Sequence, residues 1–226
     1  MTVGLEIINV NGNPQITEGF SNLQYLGKVT TTVAISFAGR YYNNGQGVIV
    51  GDATDFIAYR CENGAATIMA KCFVRSGKLY ALFYGEYVGE TVTCYRFGYP
   101  SIPFGHNFEI YNSAGKIIFS DTAKFMKIAT SMRGTYPLST ENDVVLATIN
   151  HTTGIKCAVM IAQQVVSSRS VGWNWGDFKQ WQQNFTFNSD SILVKYSLIV
   201  NEYGMGGYPL SGFTNYSFLV LDVTNL

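Results

Sequence analysis

Apolar positions along this chain recur mostly at every second residue, the spacing of strands, and seldom at the three-to-four spacing of an amphipathic helix. The run Ala66–Arg75 meets Lys78–Tyr84 across Ser76-Gly77. Two linking residues ending in Gly predict a hairpin, because primed turns need the positive φ that Gly adopts without strain. In the second arm Leu79, Ala81 and Phe83 alternate with Tyr80, Leu82 and Tyr84. Both faces are apolar or aromatic, so the strand is expected to be covered on both sides. A second hairpin is expected from Val144–Asn150 and Ile155–Ile161 across His151-Thr152-Thr153-Gly154, and two further long strands from Ile192–Val200 and Tyr216–Val223. Helix-compatible stretches are short and two in number, Asp121–Ser131 and Asp177–Gln183. The pattern predicts an all-β chain.

The chain also resembles itself. Leu5-Glu6-Ile7-Ile8-Asn9-Val10-Asn11-Gly12-Asn13 aligns without gaps to Phe108-Glu109-Ile110-Tyr111-Asn112-Ser113-Ala114-Gly115-Lys116, with Glu, Ile, Asn and Gly in common. Ile16 then matches Phe119, and Lys28-Val29 resembles Lys127-Ile128 after a small change in length. Each copy reads as an apolar strand, a turn opened by Asn, whose side chain bonds backbone two residues on, and a Gly in the left-handed position. A return strand follows, clearest in Lys116-Ile117-Ile118-Phe119. Two comparable sandwich-like β units are therefore expected, 1–103 and 104–226, divided near Pro100-Ser101-Ile102-Pro103-Phe104-Gly105.

Composition narrows the partners. Of 226 residues 47% are hydrophobic and 15% aromatic, while 13% are charged, about half the roughly 25% usual in soluble domains. That apolar content argues against disorder. Fifteen basic residues balance fifteen acidic ones, so no positive footprint for nucleic acid is expected. No apolar run approaches the roughly 20 residues of a membrane-spanning helix. Met1–Glu6 lacks the basic and apolar regions of a secretory signal, so a cytosolic start is expected. Cys61, Cys72, Cys94 and Cys157 are spaced without a Cys-x-x-Cys and read as free thiols; with only His106 and His151 besides, no metal site is expected.

The candidate chemistry is sparse. All three tryptophans fall in Trp173-Asn174-Trp175-Gly176-Asp177-Phe178-Lys179-Gln180-Trp181, followed by Gln182, Gln183 and Asn184. Exposed indoles beside Asp and amides can stack on sugar rings while the polar groups bond hydroxyls, which makes Trp173, Trp175, Asp177 and Trp181 the candidate ligand-binding residues. The competing expectation is that the indoles pack beneath a sheet or into a subunit interface. The Gly-x-Gly-Gly of Tyr203–Tyr208 lies between strands and opens no helix, so a phosphate cradle is not expected there. Gly39–Gly47 reads as a tyrosine-bearing loop. Ser131, Ser139 and Ser189 sit in no Gly-x-Ser-x-Gly phrase, and neither histidine has a sequence-level partner. Glu86 with Glu90, or Asp52 with Asp55, read as ordinary surface acids. No catalytic residue and no cofactor is expected.

The phrase Phe108-Glu109-Ile110-Tyr111-Asn112-Ser113-Ala114-Gly115-Lys116-Ile117-Ile118-Phe119-Ser120-Asp121 resembles a hairpin phrase of minor tail and tail-tip proteins of tailed bacteriophages. There a glycine-leucine start leads to Tyr-Asn, a Gly three residues after the Asn, then after one further residue two hydrophobic residues and Phe-Asp-Ser, and an apolar-basic-apolar triplet that Phe125-Met126-Lys127-Ile128 would supply. Gly4–Gly12 is a weaker copy. The resemblance implies a structural protein of the virion tail, assembled in the bacterial host cytoplasm without catalysis. Its partners would be other copies of itself, as a homo-oligomer, and neighbouring virion proteins. A receptor- or glycan-binding module of the particle is the alternative, and a polysaccharide-degrading enzyme a third.

Overall fold

A computed structural model describes residues 7–8, 14–16, 23–37, 47–63, 67–99, 108–111, 114–115, 117–120, 123–138, 143–164, 166–171, 176–205 and 211–226. Among these there is no helix, and nineteen strands follow one another. The first nine are β1 (Ile7–Ile8), β2 (Pro14–Ile16), β3 (Gln24–Thr32), β4 (Ile35–Ser36), β5 (Val48–Asp52), β6 (Phe56–Cys61), β7 (Thr67–Arg75), β8 (Lys78–Gly85) and β9 (Thr91–Gly98). After the expected boundary at 100–105, which lies outside the described residues, come β10 (Glu109–Tyr111), β11 (Ile117–Ser120), β12 (Ile128–Thr135), β13 (Val144–Asn150) and β14 (Cys157–Gln163). The last five are β15 (Val166–Val171), β16 (Gly176–Phe187), β17 (Ser191–Met205), β18 (Ser211–Phe213) and β19 (Asn215–Asp222).

Two sheets pack face to face as a sandwich. One has six strands in the order β12-β19-β14-β6-β9-β3. The other has nine, with the path β13-β17-β16-β7-β8-β4, β5 also on β8, and β15 and β18 beyond β16. Each sheet takes strands from both halves of the chain. Their inner faces meet in one core that joins Tyr59, Cys94, Val159 and Phe218 of the six-stranded sheet to Ile68, Phe83, Phe185 and Ile192 of the nine-stranded one. The Tyr59 ring stands edge-on to Phe83, Phe185 and Phe187, with centroids 5.5, 6.3 and 6.4 Å away. The two halves thus share both sheets and the core.

The internal similarity extends from the sequence to the strand register. Ile7 lies opposite Ile16 and Ile8 opposite Pro14, with a bulge between Ile7 and Ile8. Ile110 lies opposite Phe119 and Tyr111 opposite Ile117, with the bulge at the same place, each position 103 residues further on. The same separation of 103 carries the bulge at Tyr25/Gly27, where β3 meets β9, onto Ile128/Thr130, where β12 meets β19. Lys127 therefore corresponds to Gln24 and not to Lys28; no change in length intervenes. Continuing, β5 corresponds to β13, β6 to β14, β7 to β16, β8 to β17 and β9 to β19, in unbroken chain order and with matching sheet positions. Inward and outward faces agree as well. Cys94 and Phe218 point into the shared core, whereas Tyr95 and Leu219 point to the opposite face. The separation steps from 102 at β6/β14 to 113 at β8/β17 and 124 at β9/β19. Those two steps are insertions in the second half, and they hold β15 and β18.

The halves meet at their like strands, β6 with β14 and β7 with β16. Tyr59 lies opposite Val159. Carried through the correspondence, that pair becomes Ile161 opposite Ile57, the same antiparallel register, as a local twofold requires. In the other sheet Ile68 faces Phe185 and Thr67 faces Thr186, with the two threonine hydroxyls 2.6 Å apart.

Three local expectations resolve as follows. The Ser76-Gly77 hairpin forms, with both residues at positive φ (51° and 73°), as a primed turn needs. The hairpin expected from Val144–Asn150 and Ile155–Ile161 does not form: β13 pairs with β17 in one sheet and β14 with β19 in the other, so 151–156 arches between sheets. Of the two helix-compatible stretches, Asp177–Gln183 is part of β16, hydrogen-bonded on both sides by β15 and β17, and 128–131 opens β12. Ladder bonding on both flanks outweighs the weak helical spacing of so short a segment.

Candidate functional site

The aromatic cluster is divided by the fold. Trp181 is 5% exposed and packs on Tyr196, with Tyr136, Leu146 and Tyr216 around it. It faces inward because Trp181, Gln183, Phe185 and Phe187 alternate along β16, and the last two lie in the shared core. Its indole is covered within the chain. Asp177 is placed by its backbone, in register with Val171 of β15. Trp173 and Trp175 lie outside the described residues, between β15 and β16.

The strands held by both insertions, β15 and β18, pair with each other. Val166, Ser167 and Ser168 of β15 face Phe213, Gly212 and Ser211 of β18, and the hydroxyls of Ser168 and Ser211 stand 3.4 Å apart. Gly176 lies opposite Met205, so the strand ends that flank 172–175 and 206–210 are neighbours. The Tyr203–Met205 part of the glycine-rich stretch is the end of β17. Gly39–Gly45 lies outside the described residues.

Elsewhere a concentrated polar arrangement joins the two sheets at the turn between β5 and β6. Arg96 donates to Asp55 Oδ2 through Nε (2.8 Å) and Nη2 (2.6 Å), and Nη2 reaches Asp52 Oδ2 at 3.4 Å. The same Asp55 oxygen accepts the backbone N–H of Asp52 at 2.9 Å, and Lys78 Nζ bonds Asp52 Oδ1. Asp55 is no surface acid; its side chain is 6% exposed. The Lys78 bond and charge hold the Asp52 carboxyl below the usual range. Each carboxylate here is matched by a cation, an arrangement that fastens β5 and β8 of one sheet to β9 of the other. Burial raises the thiols of Cys61, Cys94 and Cys157, the direction opposite to that of an activated cysteine, and all four cysteines are free.

One open cleft of about 450 Å³ lies beside β12, β14 and β19, lined by Ser131, Met132, Arg133, Ala162, Ser217, Phe218 and Leu219. It offers two hydroxyls and a guanidinium and no acid or histidine. His151 sits exposed in its turn beside the Thr152 carbonyl, 3.3 Å away, and His106 lies outside the described residues. Among the described residues no three of His, Cys, Asp and Glu converge as metal ligands would.

No protein-family model, curated protein or solved structure matches the chain. What sequence reasoning missed is the Asp55–Arg96 pair, 41 residues apart, for which no local motif exists. It also missed which strands end the sheets. Their composition was readable, but their position depends on pairings between β17 and the distant β13.

Proposed function

We propose that this chain is a structural component of a tailed-phage virion, at the tail, acting by packing against copies of itself and neighbouring virion proteins and performing no chemistry. The supporting observation is the hairpin β10–β11. It forms where the tail-protein phrase stands, repeats at β1–β2 with the same register and bulge, and among the described residues pairs with no strand of either main sheet. A two-stranded hairpin alone is marginal in water, so a doubled one that extends neither sheet fits a contact element. Phe108 beside it is 53% exposed, and Phe56, Tyr87, Tyr99 and Phe213 add exposed aromatic surface elsewhere. Such side chains suit interfaces whose centres are depleted in charge. The test is immunogold electron microscopy of particles from the source culture with antibody to the recombinant chain. Label on tails is the expected result, label on heads removes the tail assignment, and unlabelled particles overturn the reading.

A second reading is favoured by the paired insertions. They are what the second half has and the first lacks, and the sequence segments that hold Trp173 and Trp175 and the glycine-rich stretch fall within them. On this reading Trp173, Trp175 and Asp177 contact a host-surface glycan, without Trp181. Oligosaccharides should then quench tryptophan fluorescence in the parent chain and not in a Trp173→Ala/Trp175→Ala variant. An unchanged signal in the parent removes the reading.

A further inference from the structure

Four strands of five or more residues have a single hydrogen-bonded neighbour among the described residues: β3, β5, β12 and β13. Open edges invite pairing with another strand, and proteins guard them with charges, prolines, bulges or brevity. Three of the four carry a charge, Lys28 in β3, Asp52 in β5 and Arg133 in β12. The fourth, Val-Val-Leu-Ala-Thr-Ile-Asn of β13, has neither charge nor proline over seven residues. Its one irregularity, between Val145 and Ala147, lies near the start and leaves Ala147–Asn150 in regular register with β17. Val145 is 52% exposed, and Thr148 is exposed too.

We propose that β13 is a self-pairing edge, which joins its counterpart in a second copy of this chain as an antiparallel strand pair about a twofold axis. The choice of occupant follows from charge. An antiparallel pair about a twofold sets the residues at its axis opposite themselves, and like charges directly opposite destabilise a ladder. Lys28 is the central residue of β3, so a centred β3 pair sets Lys28 against Lys28; Asp52 of β5 and Arg133 of β12 lie off centre, and centred pairs would set them beside Val48 and Thr130 with no opposite charge. β13 brings no charge to its copy in any register. The same kind of junction already exists inside the chain, where β6–β14 and β7–β16 are antiparallel pairs of like strands about a local twofold. A β13 pair would continue one nine-stranded sheet into the next. The inference rests on the reading that the chain works by packing against itself.

The test is the mass of the full chain in solution, by sedimentation velocity at about 100 µM, where a micromolar interface is saturated. The parent is expected to contain paired chains. Val145→Lys/Thr148→Lys and Val145→Asp/Thr148→Asp alter exposed positions, and each variant, with its circular dichroism unchanged, is expected to lose the pairing at least about tenfold. Mixing the two in equal amounts should restore it, since Lys then meets Asp. A parent that stays single, a Lys variant that keeps the parental mass, or a mixture that stays unpaired overturns the proposal. Particle labelling reports separately: labelled tails with a single chain in solution remove the edge proposal alone, and a paired chain with unlabelled particles removes the virion reading alone.

Discussion

At the scale of single residues, the Asp55–Arg96 pair shows how much one buried carboxylate organises. Three donors converge on its Oδ2, and they come from both sheets. Asp55→Ala removes the acceptor and leaves Arg96 half-covered, so about 2 kcal/mol of stability should be lost, measured as the shift in urea midpoint. Gly51 belongs to the same arrangement, because a Cβ there would stand 2.5 Å from Asp55 Oδ2. Gly51→Ala should therefore cost about as much, by pushing the carboxylate off its donors. Trp181→Ala empties a packed site and should cost about 3–5 kcal/mol. Acid has a calculable sign too. Lys78 lowers Asp52; for Asp222, burial pushes up but hydrogen bonds from Lys127 and Thr224 hold the carboxyl below its usual value. A carboxyl depressed in the folded state stabilises it above the unfolded pKa, near 3.8, and the gain fades as pH falls through the folded value. The urea midpoint should thus hold between about pH 7 and 5 and fall below about pH 4. Asp222→Asn should soften that fall; an equally steep loss in the variant would argue against this source.

Strands and turns differ in how far local chemistry decides them. The β7–β8 hairpin was legible because its two central residues, Ser76 and Gly77, dictate a turn that only a hairpin uses. The segment after Asn150 carried an equally plain turn signal, yet a turn between apolar strands serves an arch between sheets as well as a hairpin. What decides is pairing with β17 and β19, more than forty residues away. The free thiols were legible from spacing, whereas the inward indole of Trp181 was not, since the sequence does not state which alternate set along β16 meets the core. The first hairpin showed the repeat because its turn keeps Asn and Gly; across β9 and β19 no residue is shared, and only register and bulge preserve the relation. Removing β18 tests the insertion at this scale. Replacing 206–213 by a short Gly-Ser link should leave the sandwich core intact, so the thermal midpoint should change far less than in Trp181→Ala. An equal loss would make the insertion part of the scaffold.

For the whole molecule, two corresponding halves that share one body are the governing fact. Each half supplies three principal strands to each sheet, and the aromatic centre draws on both. Calorimetry should give a single unfolding transition, and neither half expressed alone should melt cooperatively; two resolved transitions would contradict a shared core. There is also a consequence in time. In the six-stranded sheet β19 sits between β12 and β14, joins the edge strand β12 to the rest, and is the last strand to be synthesised among those described. A nascent chain of two hundred residues therefore still lacks both β19 ladders and holds Tyr59, Cys94 and Val159 in a core without Phe218. Long-range strand pairing is slow, and unpaired edges exposed meanwhile invite association with other chains. The order in which the ribosome delivers this sequence makes completion late and nearly all-at-once. The charges on β3 and β12, the edges whose ladder partners arrive latest, are thus placed where premature pairing has the longest opportunity to occur.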